Sequence, residues 1–234
     1  MIQHYAKEWG SWWQARPGGE ELSQDAWPDD TEVPDMQMED IRRAALSFKA
    51  RTSCPCGLHP KHLGMVSNKV LGLIARQWTI WERYGQVPRQ ERQLIVTLIN
   101  KPDGGLRPIA LFRAAYRVLA RVNVKRLQDW AAKLDCCAIN TVAGRQVSDA
   151  QWRAMADRDI EAAEEEDASE TYFCEAQQDV TKAYEHVDRN ILAAKAIKEG
   201  MPVSVIRLSL ASYAWPRRLQ YNGFFPMYLS PPEE

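Results

Sequence analysis

In "KPDGGLRPI" (101–109), Lys101 and Arg107 flank Gly104 and Gly105. A phosphate site needs backbone N–H groups turned outward and cations within reach. Paired glycines permit such a turn. An arginine grips two phosphate oxygens at once, while a lysine acts as a point charge. The plain alternative is a turn and nothing more. In "QQDVTKAYEHV" (177–187), Asp179 ends a β-like run, where a carboxylate can project into a cleft or simply begin a turn. Lys182 reads as solvent-facing, and Tyr184 and Val187 read as core.

A third cluster, "CPCGLHPKH", sets Cys54, Cys56, His59 and His62 within nine residues. These are zinc-ligand types, but structural zinc sites usually separate paired cysteines by at least two residues, and one proline separates these. Hydrolase chemistry has little basis. There is no G-x-S-x-G elbow, and His186 has no marked nucleophile beside it.

The elements that must hold these residues follow from periodicity. "MEDIRRAALSFKA" (38–50) has helical spacing at Ile41, Ala44, Ala45 and Phe48. A second helix runs from a Ser67 cap to a Gly85 stop, with Val70, Leu73, Ile74 and Trp81 on its inner face. "RQLIVTLI" and "LRPIAL" read as a hairpin around KPDGG, and Pro108 marks the second strand as an edge. Residues 112–134 predict a long helix with a core stripe of Phe112, Ala115, Leu119, Val122, Leu127, Trp130 and Leu134. Its other face carries Arg113, Arg117, Arg121 and Lys125 at steps of four. Such a row repels itself by roughly 0.2–0.5 kcal/mol per pair. It is a solvated face, a partner for the acidic run at 161–170, or a track for an anionic polymer.

Further along, Ser148 and Gln151 suggest a capping box for a helix over 148–167, and 171–179 is β-like. Asp188 and Gly200 bracket another helix, and Pro202 opens a further one through 215. "RRLQYNGFF" reads as a short strand with an Asn-Gly turn, and "PMYLSPPEE" as no regular element. The tryptophan-rich residues 1–37 read as a loop-dominated leader anchored on a core.

The 234 residues suffice for one large domain or two lobes. A net charge of -1 favours no partner globally, so any nucleic-acid signal is local. Five cysteines in no disulfide-like pattern fit a reducing, intracellular setting. No signal-type apolar segment or membrane-spanning run is present, so a soluble chain without a membrane partner is expected.

Taken in order, "RTSCPCGLHPKHL", "LINKPDGGLRPIALFRAAYRVLARVNVKRL", "QQDVTKAYEHVDRNIL" and "GMPVSVIRLSLASYAWPRRLQYNGFF" resemble the reverse transcriptase of non-LTR (LINE-type) retrotransposons. The resemblance covers roughly residues 38–225. It implies an α+β fold, the helix-rich fingers and partial palm of a right-hand polymerase. Residues 38–170 would form a fingers-like region and 171–225 a partial palm, with 226–234 a non-matching tail. It further implies that Lys101 and Arg107 contact the triphosphate of an incoming dNTP. Asp179 would be a catalytic, metal-binding carboxylate for Mg²⁺. The Val180 carbonyl would lie near that nucleotide and metal, and Tyr184 would police the sugar 2′ position. Arg113, Arg117, Arg121 and Lys125 would lie along an RNA template and DNA primer.

Three departures shape the expectation. Pro55-Cys56-Gly57 stands where the family usually has Pro-Asp-Gly, and Glu185 stands where Asp is common. The family's template clamp, its Tyr-x-Asp-Asp turn and its thumb have no counterpart before Glu234. Two-metal transfer clamps both oxygens between cations about 3.5–4 Å apart, and Asp179 by itself cannot hold two. The expectation is an incomplete palm sheet and a chain that does not polymerise unaided. Nucleic-acid binding without catalysis and a purely structural role are the alternatives.

Overall fold

The computed structural model describes residue 27 and residues 33–52, 54–102, 104–134, 147–164, 187–221 and 228–229. The fold is α+β. Helices α1 (Met38–Leu46), α2 (Pro60–Met65) and α3 (Asn68–Tyr84) come first. A 3₁₀ turn at Arg89–Glu91 leads to strands β1 (Leu94–Asn100) and β2 (Leu106–Leu111). Helices α4 (Ala114–Ala131), α5 (Val147–Glu164), α6 (Arg189–Lys198) and α7 (Val203–Ala211) follow. A 3₁₀ turn at Ser212–Ala214 precedes β3 (Arg217–Gln220) and β4 (Tyr228–Leu229).

The sheet order is β2-β1-β3-β4. β1 pairs antiparallel with β2 and parallel with β3, Leu94 facing Arg217 and Val96 facing Leu219. β2 is an edge, as Pro108 requires, since a proline cannot donate to a further strand. Tyr228 and Leu229 pair with β3, so the stretch read as irregular contributes a strand. The paired residues lie only 10 and 12 positions apart, and a two-residue strand is too short to show the alternation that marks a strand in sequence.

One apolar core runs through α1, α3, α4, α7 and Trp215, and it spans both sides of the 170/171 boundary. Ile41, Leu71, Val118, Leu119 and Leu219 are fully buried, each contributing about 1.5–3 kcal/mol. The expected inner face of α1 is realised, with Ile41, Ala44, Ala45 and Phe48 all buried.

α3 is capped as its sequence suggests. Ser67 accepts the Val70 N–H, and Gly85 closes the helix in the left-handed region at φ 64°. Its buried face is the expected one in part: Trp81 is buried and Ile74 packs against the core, but Leu71, Ala75, Trp78, Thr79 and Glu82 also point inward, while Val70 and Leu73 are exposed. Choosing the most apolar residues missed a stripe completed by alanine, threonine and a charged group with a buried partner.

α4 starts two residues later and ends earlier than expected. It buries Ala114, Tyr116, Val118, Leu119 and Asn123, while Ala115 and Val122 pack at the margin. α5 is already helical at Val147, so Ser148 lies inside the first turn rather than at a cap. Asp188 caps α6 by accepting the Asn190 and Ile191 N–H groups, and Gly200 sits at φ 69° beyond its end. Among the described residues, no helix is long and apolar enough to cross a membrane.

Candidate nucleotide and nucleic-acid interface

The KPDGG stretch forms a three-residue hairpin loop. The Gly104 N–H donates to the Lys101 carbonyl and the Lys101 N–H to the Gly105 carbonyl. These two bonds are the pattern of a three-residue hairpin with a glycine bulge, with φ of 90° at Gly104 and 79° at Gly105. Both values lie where a side chain would be strained, and no atom lies within 4 Å of a Cβ built at either position. The glycines are therefore required by backbone conformation and leave the loop tip open.

Register decides the direction of the two cations. Ile99 pairs with Arg107 and Asn100 with Leu106, so the alternation of the strand puts Lys101, Arg107, Ile99 and Ile109 on one face. Lys101 and Arg107 are both exposed. Among the described residues neither side chain has an ion pair or hydrogen bond. Ile99 is 50% and Ile109 36% exposed. The hairpin thus offers two cations beside a small apolar strip, a combination suited to phosphate with an attached sugar or base.

The basic row on α4 behaves differently. Arg113, the N-cap residue, lies 3.3 Å from Glu91 as an ion pair without hydrogen-bond alignment. Arg117 donates to the Cys54 thiol at 3.2 Å, and its guanidinium lies 5.4 Å from the centre of the Phe48 ring. Arg121 covers the same ring at 5.0 Å. Such cation–π contacts are worth roughly 0.5–1 kcal/mol each at exposed sites. Arg121 and Lys125 remain exposed. Lys49 and Arg51, also exposed, follow Phe48 directly. Phe48 thereby becomes the floor of a basic patch that the helix alone does not define. Its signal was legible only as a helical spacing at the end of α1, where core was the simpler reading.

The Cys54–His62 loop serves packing. The Cys56 thiol accepts the Ala114 N–H, the first free donor of α4, at 3.4 Å. A carboxylate in its place would suit a helix N-terminus. His59 uses both ring nitrogens: Nδ1 accepts the Lys61 N–H, and Nε2 lies 3.1 Å from the Lys49 carbonyl. Among the described residues no group of His, Cys, Asp and Glu is placed to hold a metal ion. Burial pushes the Cys54 thiol pKa up, and the neighbouring Arg117 partly offsets this.

One polar node escaped the sequence reading entirely. Glu82 is 1% exposed. It receives hydrogen bonds from Asn123 Nδ2 and from Arg126 at 3.0 Å. Arg126 also donates to Asn123 Oδ1 and to Ser204 Oγ, tying α3, α4 and α7 together. These bonds let the amide of Asn123 be buried on the inner face of α4.

Asp179, Val180 and Tyr184 lie outside the described residues, as do most of the acidic run at 161–170 and the side chains of the rest. No protein-family model matches the chain, and no curated protein sequence is similar to it.

Proposed function

We propose that this chain is the fingers region, with the opening of the palm, of a reverse-transcriptase-like nucleotidyltransferase derived from a retrotransposon. The observation that carries the reading is the hairpin: a glycine-built tip with Lys101 and Arg107 exposed on one face and no side-chain partner among the described residues. Lys101 and Arg107 bind the triphosphate of a dNTP. The patch of Lys49, Arg51, Arg121 and Lys125 around Phe48 binds a single-stranded RNA template, with Arg113 and Arg117 holding the patch in shape. On the resemblance alone, Asp179 would ligate Mg²⁺ beside the Val180 carbonyl, with Tyr184 against the sugar. That ion would supply charge neutralisation at the phosphates. With one such carboxylate identified, the chain by itself is expected to bind rather than to polymerise.

The test is equilibrium binding of a fluorescent dNTP and of a labelled RNA–DNA template–primer, followed by primer extension. Charge-assisted contacts are worth roughly 1.5–3 kcal/mol, so Lys101→Ala and Arg107→Ala should each weaken dNTP binding about tenfold or more. Arg121→Glu with Lys125→Glu should weaken RNA binding and flatten its salt dependence. Unchanged dNTP affinity in the Lys101/Arg107 double variant would sink the nucleotide reading.

A second reading, a nucleic-acid-binding module without nucleotide chemistry, is favoured by the Phe48 patch, which stands without the palm. It predicts steeply salt-dependent RNA binding, no dNTP binding, and indifference to Asp179→Ala.

A further inference from the structure

The outer face of α3 carries a line of side chains that the core does not use. Val70, Leu73, Ile80 and Tyr84 are all exposed, Leu73 by 60% and Tyr84 by 75%. With the exposed Gln77 they recur at alternating steps of three and four, the spacing of a coiled-coil seam. Exposed apolar residues scattered singly are ordinary, whereas these share one stripe of one helix. Lys69, Arg76 and Arg83 recur at steps of seven, so they run along one edge of the seam, and all three are exposed. The other edge is closed by Ile74 and Trp81, which pack on the core.

The charge on this face is one-sided. The single carboxylate of α3, Glu82, is buried against Arg126. Lys69 sits in the first turn, where the helix dipole disfavours a cation, so the helix gains nothing from it. Arg83 shows what the row accepts: its guanidinium lies 3.5 Å from the exposed Asp35 carboxylate. Among the described residues Lys69 and Arg76 have no such partner. We propose that this face docks an acidic amphipathic helix of a protein partner. The apolar a and d residues of that helix lie on the Val70–Tyr84 seam, and its carboxylates lie along the Lys69–Arg76–Arg83 edge. In such pairs the seam supplies knobs-into-holes packing, and the flanking charges choose the partner. They also speed encounter and exclude like-charged competitors. α3 is already folded on the core, so ordering falls on the partner's helix alone. A membrane surface calls for a broad apolar face, and this stripe is the narrower coiled-coil kind.

The probe is a four-heptad peptide with leucine at a and d and glutamate at e and g, whose like charges oppose self-pairing at neutral pH. Its comparator carries lysine at e and g. Fluorescence anisotropy against the full chain should show saturable one-to-one binding of the acidic peptide, at least tenfold tighter than the basic one. Leu73→Asp with Ile80→Asp should cut that affinity tenfold or more. Lys69→Glu with Arg76→Glu should reverse the preference between the two peptides. All four positions are exposed, so each variant should keep its cooperative melt by circular dichroism. Equal affinity for the two peptides, or wild-type affinity in the folded Leu73→Asp/Ile80→Asp chain, would overturn the proposal. So would self-association in sedimentation that this variant abolishes, which makes the occupant a second copy. Binding of RNA or phosphatidylserine vesicles that Lys69→Glu/Arg76→Glu removes, without any peptide binding, would overturn it as well. No residue of this face belongs to the sheet, the hairpin or the Phe48 patch. The Leu73→Asp/Ile80→Asp chain should therefore keep wild-type affinity for dNTP and RNA, and either reading can fail while the other stands.

Discussion

The hairpin tip and the basic row of α4 contain the same kind of residue in opposite circumstances. Lys101 and Arg107 flank two glycines at which an added Cβ would meet open space, and both side chains are exposed. Arg113 and Arg117 are bound to Glu91, Cys54 and Phe48, and Arg126, further along the helix, is largely buried against Glu82. A cation on the surface is available to a ligand at little stabilising value to the fold. A cation wired into the body stabilises the fold and is withdrawn from ligands. Charge by itself therefore does not mark an interface; the neighbours that compete for it do.

The sharpest way to break this contrast is at the buried end. Removing one partner of a buried ion pair strands the other, at a cost of about 3–5 kcal/mol. Glu82→Ala should therefore lower the urea unfolding free energy by that order, because Arg126 and Asn123 both lose the carboxylate they share as acceptor. Stability unchanged within error would show that the node is not a keystone.

At the exposed end the effects reverse. Lys101→Ala and Arg107→Ala should leave the unfolding midpoint within about 0.5 kcal/mol of wild type, while each weakens dNTP binding about tenfold, or 1.4 kcal/mol. A variant that lost stability and kept affinity would invert the comparison.

Arg117 tests the boundary between the two classes. Arg117→Ala removes a cation–π contact and the Cys54 bond, so a stability loss of about 1 kcal/mol is expected. RNA affinity should fall less than in Arg121→Ala, read by fluorescence anisotropy at one salt concentration. Cys56→Asp runs the other way: a carboxylate in place of the thiol at the Ala114 N–H should raise the melting midpoint, worth about 0.3–1 kcal/mol.

The smallest effect is the pH dependence of the same loop and its neighbouring core. Burial raises the pKa of Cys54 from its ordinary 9.0, and burial likewise raises Tyr116 from 10.0. In both, the folded state holds its proton more tightly than the unfolded chain. Their contribution is fully present below those ordinary values and is lost as pH climbs through the raised ones. Unfolding titrations at rising pH should show stability declining from about pH 9, and Tyr116→Phe should remove the upper part of that decline. A flat alkaline profile would exclude both groups as its source.

Much of the framework was legible because its signals are local. Ser67 and Gly85 bound α3, Asp188 and Gly200 bracket α6, and Pro108 names the edge strand. Each rests on what one side chain does to its own backbone: an oxygen that accepts an N–H, a missing Cβ that permits positive φ, a ring that removes a donor. The turn of KPDGG belongs to the same class.

What the sequence hid depends on residues far apart in the chain meeting in space. The inner face of α3 is decided by a buried carboxylate whose arginine lies 44 positions later. β3 joins β1 across 123 positions, as between Thr97 and Gln220. The fate of each α4 arginine was settled by Glu91, Cys54 and Phe48, none of them on that helix. Local chemistry determined where the chain turns and where its charges are. Which of those charges face solvent, and which are consumed by the fold, only tertiary packing decided, because a cation's availability is set by whichever partners the completed core brings within reach.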